Sequence, residues 1–168
     1  MKLAYKCAID NNHPIVIDPV GVSGISYRRN FLQELLSIGS PTCIRGNVSE
    51  ILAIYEGANT SSGLDGNVSD SNVREAAIKL AKKLDTIIVA SGVTDIISDG
   101  KTFNENDSGH AMQKNLTGSG CMLSGAICAA LSLSNVNYAN VNDKNMLVVT
   151  NVCKEMGDSA KRAAEYVI

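Results

Sequence analysis

The chain has 168 residues, of which 45% are hydrophobic and 19% charged, with a net charge of −2. That is enough for one domain with a sizeable core, and the near-neutral balance offers no basic field to hold nucleic acid or an anionic membrane. No signal-peptide pattern opens the sequence and no apolar run reaches the roughly 18 residues of a membrane span. The five cysteines contain no C-x-x-C pair, so zinc or redox pairing is not indicated and a reducing cytoplasm fits best.

In chain order, Leu3, Ala4, Cys7 and Ala8 recur at helical spacing until Asn11-Asn12-His13-Pro14 ends the pattern. Ile15–Ile17 then reads as a short buried strand that stops at Asp18-Pro19-Val20-Gly21. An acidic residue at the carboxyl end of a strand is where open α/β sheets put ligand chemistry, although an Asp that only caps the next turn fits equally well. Tyr27–Ile38 is amphipathic, with Phe31, Leu32, Leu35 and Leu36 on one face. Thr42–Ile44 is the next strand, followed by Arg45-Gly46-Asn47-Val48-Ser49-Glu50 and a helix carrying Ile51, Leu52, Ile54 and Tyr55. Asn47 or Ser49 can cap that helix, and Glu50 in its first turn is also favoured for purely local reasons.

A polar loop is expected from Gly57 to Asp70, a helix over Asn72–Leu84, and a buried strand over Thr86–Ala90 that ends at Ser91-Gly92. Asp95–Ser98 and Lys101–Phe103 read as a hairpin turning through Asp99-Gly100. The stretch Thr117-Gly118-Ser119-Gly120-Cys121-Met122 leads into an apolar run ending at Leu133. Small residues there allow close backbone approach to a ligand, and a following helix would aim its free N–H groups and positive dipole end at an anion. Gly118, Ser119 and Gly120 are thus a candidate anion cradle. A helix N-terminus also favours a thiolate, which makes Cys121 the candidate base. A Gly-rich turn before a helix can equally be no more than a turn. An Asn-rich connection over Ser134–Asp143 and a long helix over Asn145–Val167 complete the chain. Alternation of strands and helices predicts an α/β fold with a mostly parallel sheet flanked by helices, in one domain over 1–168. The polar strand ends, with the Gly118–Cys121 turn, would then share one rim suited to phosphoryl transfer.

Asp18-Pro-Val-Gly21, Ile44-Arg-Gly-Asn-Val-Ser-Glu50, Gly109-His110 and Thr117-Gly-Ser-Gly-Cys-Met-Leu-Ser124, in that order, resemble hydroxyethylthiazole kinase. The resemblance implies a ribokinase-like fold and ATP-dependent phosphorylation of the primary alcohol of 4-methyl-5-(2-hydroxyethyl)thiazole in thiamine salvage, with Mg²⁺, in a homotrimer. It implies Arg45 and Ser91 as ATP contacts, Gly118 as a substrate contact, Asp18 and Glu50 as the carboxylates that orient Mg²⁺ directly or through water, and Cys121 as the catalytic base. Val93, Gln113 and Ser91 depart from the residues usual in the family. The family also has strands before this point and a continuation after it, so the fold is expected to be partial, with N-terminal strands missing. Hydroxymethylpyrimidine kinase resembles the chain at the Gly-x-Gly-Cys turn, and an inactive nucleotide-binding fragment is a further alternative. A cysteine hydrolase pairing Cys121 with His110 is disfavoured, because no nucleophile elbow of Gly-x-Cys-x-Gly form occurs.

Overall fold

The computed structural model describes residues 1–58, 70–134 and 141–166. Helix α1 (Lys2–Asp10) leads to strand β1 (Val16–Ile17), α2 (Ser26–Ile38), β2 (Cys43–Asn47), α3 (Val48–Ala58), α4 (Asp70–Leu84) and β3 (Ile87–Ser91). A hairpin of β4 (Asp95–Ser98) and β5 (Phe103–Asn106) follows, then a short 3₁₀ helix (Ala111–Asn115), α5 (Ser119–Ser134) and α6 (Val141–Ala164). The expected loop after Gly57 and the connection after Ser134 lie largely outside the described residues, as does Val167 at the expected end of the last helix.

The five strands lie in sequence order, β1-β2-β3-β4-β5. The first three are parallel and the hairpin runs antiparallel to β3, so the sheet is mixed. Strand alternation sends successive side chains to opposite faces. Ile44, Ile88, Ala90 and Ile96 pack with Leu32, Ile51, Val73, Ala77 and Leu80 on one side. Cys43, Val89 and Ile97 pack with Leu123, Ile127, Leu131, Met146, Val149 and Cys153 on the other. The result is three layers, with α2, α3 and α4 on one face and α5 and α6 on the other. Each fully buried aliphatic side chain contributes roughly 1.5–3 kcal/mol.

Several element boundaries differ from the sequence reading, α6 starting at Val141 rather than Asn145 among them, and for two of them side-chain bonds give the reason. Strand β2 continues through Arg45 and Gly46 to Asn47, since these pair in register with Val89, Ala90 and Ser91. Helix α3 then starts at once, because Asn47 Oδ1 accepts the Glu50 N–H at 2.9 Å and Glu50 Oε2 accepts the Asn47 N–H at 2.9 Å, a reciprocal cap. In the hairpin, the second strand begins at Phe103 rather than Lys101. Asp99 Oδ1 accepts the N–H groups of Lys101 and Thr102 at 2.9 and 2.7 Å, which holds those residues in the turn. These bonds also keep the Asp99 carboxyl below the ordinary aspartate range, against the opposing effect of its partial burial.

Candidate active site

The register brings the polar strand ends to one rim. Arg45 on β2 and Ser91 on β3 lie on the face covered by α5 and α6, and Arg45 Nε donates to Ser91 Oγ at 3.0 Å. Arg45 Nη1 reaches Asp18 Oδ2, just past β1, at 3.4 Å, with both side chains mostly buried. Ser124 on α5 donates its hydroxyl to that same Asp18 oxygen at 3.0 Å. The three parallel strand ends and α5 thus meet around one guanidinium.

The turn before α5 has the backbone that its glycines suggest. Gly118 sits at φ +89°, a left-handed conformation that disfavours a side chain, and a Cβ there would meet open space. Gly120 is glycine for a different reason: a Cβ would lie 2.4 Å from Arg45 Nη1, so only glycine lets the guanidinium lie against the first turn of α5. The Met122 N–H closes that turn on Gly118 O at 2.9 Å, and the Ser119 N–H is already used by Leu116 O at 3.3 Å. Among the described residues no protein acceptor takes the N–H of Gly120 or Cys121. These two, rather than Ser119, are the donors the turn offers. A helix N-terminus placed against a guanidinium is positively biased, and an anion relieves that bias.

Cys121 is exposed. It precedes Ser124, whose hydroxyl bonds Asp18, by three residues on α5. His110 is occupied locally: its Nδ1 accepts the Met112 N–H at 3.3 Å, while Gln113 Oε1 accepts the His110 N–H at 3.0 Å. It caps the 3₁₀ helix, as a loop hydrogen-bonder would. Gln113 is the residue that closes this cap.

Glu50 is buried, at 7% exposure. Oε1 accepts the Gly21 N–H at 2.8 Å and Oε2 accepts the Asn47 N–H. It therefore ties the Asp18–Gly21 loop to the β2–α3 junction. Each of its oxygens already accepts a backbone N–H, whereas among the described residues no donor takes Asp18 Oδ1, so Asp18 is the more open of the two to a cation held mainly by phosphate and water. Among the described residues no group of three or more His, Cys, Asp or Glu side chains could cage a metal.

A cavity of about 750 Å³ opens beside this rim, lined by Arg45, Asn47, Ser91, Gly92, Ser119 and Gly120 among others, a size suited to a small-molecule ligand. Asp95 lines it too, and sequence reasoning assigned that residue only to a hairpin. A smaller cavity of about 410 Å³, beside His13, Thr86 and Lys101, touches none of these groups.

The strand order, the helical layer on each face and the polar strand ends at one rim define a three-layer α/β fold. Solved structures agree on the fold. A hydroxyethylthiazole kinase protein from Pyrococcus horikoshii superposes with a TM-score of 0.65 over 95% of this chain and 66% of its own, at 20% identity. Bacillus subtilis pyridoxal kinase gives 0.62 over 89% of this chain and 55% of its own, at 24% identity.

The chain belongs to the hydroxyethylthiazole kinase family, whose model matches residues 1–166. A hydroxyethylthiazole kinase of Listeria monocytogenes is 42% identical over 130 residues, 77% of this chain and 48% of that protein. One from Clostridium botulinum is 40% identical over 143 residues, 82% of this chain and 51% of that protein. The chain thus spans about half the length of the curated relatives it matches.

Proposed function

We propose that this chain carries the phosphoryl-transfer site of an ATP-dependent kinase acting on the primary alcohol of 4-methyl-5-(2-hydroxyethyl)thiazole, as in thiamine salvage. The observation that carries the reading is Arg45, which bridges Asp18 and Ser91 and lies against the glycine at the start of α5. Phosphoryl transfer is catalysed largely by positioning and charge neutralisation, and these groups supply both. Arg45 and the Gly120 and Cys121 amides bind the phosphate oxygens, Ser91 contacts the nucleotide, and Gly118 leaves room for the acceptor alcohol. Asp18 is the residue that would hold Mg²⁺, which when bound neutralises phosphate charge. Glu50 acts by fixing the Asp18–Gly21 loop.

The alcohol oxygen attacks the γ-phosphorus, the bond from that phosphorus to the β,γ-bridging oxygen breaks, and ADP leaves. Cys121 Sγ accepts the alcohol proton. Family membership supports assembly as a homotrimer. The free, partly buried thiols support a cytoplasmic setting, and no described helix is long and apolar enough to cross a membrane.

The test is ADP release by the purified chain with Mg-ATP and either the thiazole alcohol or hydroxymethylpyrimidine. Turnover with the thiazole alone is expected. Turnover with the pyrimidine alone would reassign the substrate, and Mg-ATP binding without turnover of either would make this chain a nucleotide-binding unit.

A further inference from the structure

Four neighbouring strands place a polar residue at the site end of the α5/α6 face: Arg45, Ser91, Asp95 and Asn106. Asp95 and Asn106 are directly paired across β4 and β5. Asp95 Oδ1 accepts the Gly92 N–H at 3.1 Å, and Asp95 Oδ2 accepts from Asn106 Nδ2 at 3.1 Å. Asn106 Oδ1 in turn accepts the Ser108 hydroxyl at 2.7 Å, which also approaches Lys154 O on α6 at 3.1 Å. Asn106 and Ser108 are 8% and 4% exposed. Gly157 permits the last contact, since a Cβ there would meet Ser108 Oγ at 2.1 Å. A buried chain of this kind is costly unless its members are satisfied; here the one Ser108 proton is shared between Asn106 Oδ1 and Lys154 O, and Asn106 Nδ2 donates to Asp95.

We propose that Asp95 is a positioning residue of the nucleotide site. It fixes the Ser91–Gly92 end of β3, and therefore the hydroxyl that holds Arg45, by anchoring it through Asn106 and Ser108 to α6. The same anchor runs into Gly109-His110, the start of the segment that leads to the Gly118 turn. A hairpin residue with no positioning task would not need both carboxylate oxygens committed across two neighbouring segments. Burial raises the Asp95 carboxyl above the usual aspartate range, while the Gly92 and Asn106 bonds and the nearby Arg45 charge counter part of that rise. This cost of burial is a reason for a structural filler to be neutral at this position.

The inference rests on the nucleotide reading above, and the test separates the two. In Asp95→Asn the new amide can satisfy Gly92 with its oxygen, but its NH₂ then faces the Asn106 NH₂. The swap variant Asp95→Asn/Asn106→Asp restores acceptor to donor along the whole chain while moving the negative charge one residue away. Amide hydrogen exchange at Gly92 and Mg-ATP affinity are measured for the native chain, for both variants and for Ser108→Ala, the mildest break.

Asp95→Asn is expected to speed exchange at Gly92 and raise the Mg-ATP Kd by about tenfold, the scale of one lost charge-assisted bond. The swap should restore both, and Ser108→Ala should give a smaller change of the same sign. Unchanged Gly92 exchange in Asp95→Asn and Ser108→Ala overturns the anchor. Faster exchange with unchanged affinity overturns the positioning role. If Asp95→Asn fails to fold, Ser108→Ala and the swap decide by the same two readouts. If the native chain binds no Mg-ATP, the nucleotide reading fails and the positioning role with it, whereas exchange at Gly92 still shows whether the anchor exists.

Discussion

Cys121 and Glu50 show how far a side chain's role depends on what already occupies its polar atoms. Cys121 is exposed beside unused amides, so it is available to a reacting alcohol. Proton acceptance by a positioned group is worth about 10²–10⁴-fold, while Arg45 and the turn supply the charge stabilisation. Cys121→Ala is therefore expected to lower kcat within that range without abolishing turnover, and an unchanged kcat would remove the thiol from the reaction. Glu50 is the opposite case, because both oxygens are taken by Gly21 and Asn47. Glu50→Gln leaves one of those two amides without an acceptor, a loss of about 2 kcal/mol that urea unfolding would register. The Mg²⁺ concentration for half-maximal nucleotide binding should stay where it is in Glu50→Gln and rise in Asp18→Asn. A large rise in Glu50→Gln would restore Glu50 as a ligand.

At the level of elements, the sequence pattern was legible wherever one period ruled a segment. The amphipathic spacing of α2 and α4 and the apolar runs of β2 and β3 lie where their residues predict. It failed where a side chain bonds the backbone. Asp99 delays β5, and the Asn47–Glu50 cap lets strand pass directly into helix. Asp18, Arg45, Ser91 and the Gly118 turn were legible as motifs, whereas Asp95 was not, because its partners Gly92, Asn106 and Ser108 are chosen by hairpin register rather than by a local pattern. Two glycines make the distinction testable. A Cβ at Gly120 meets only the far end of the Arg45 side chain, whereas a Cβ at Gly100, at φ +85°, would lie 2.5 Å from the Lys82 backbone N. An arginine tip can swing away, although here at the loss of its bonds to Asp18 and Ser91, and alanine favours a helix by up to about 1 kcal/mol, so Gly120→Ala should bind Mg-ATP more weakly and lose less stability than Gly100→Ala. Backbone cannot swing away, and a left-handed φ adds roughly 1 kcal/mol or more. Gly100→Ala should therefore lower the melting temperature. Equal melting temperatures for the two variants would contradict this reading of the turns.

Across the whole molecule, the α5/α6 layer makes stability sensitive to alkali. Cys43 and Cys153 belong to the same core cluster, at 0% and 2% exposure. Burial pushes the Cys43 thiol up strongly, with Arg45 opposing, and pushes the Cys153 thiol from 9.0 up to about 12, with Asp95 adding to the rise. In the unfolded chain both thiols lose their protons near pH 9, whereas the folded chain keeps them. The folded state then binds more protons than the unfolded one, so stability falls as pH rises. The contribution is fully present below about pH 9 and is lost progressively toward the folded values, at up to about 1.4 kcal/mol per pH unit for each thiol. Tyr5, pushed up to about 12 by burial, acts in the same sense only above its ordinary value of 10.0. Urea unfolding under reducing conditions from about pH 8 to about pH 10 should therefore show a falling midpoint. Cys153→Ala removes one of the two protons, so its curve should start lower, from the lost packing, but decline about half as steeply. Cys121→Ala, at an exposed position, should decline in parallel with the native chain. A flat native curve, or an unchanged slope in Cys153→Ala, would mean that these thiols do not carry the pH dependence of the fold.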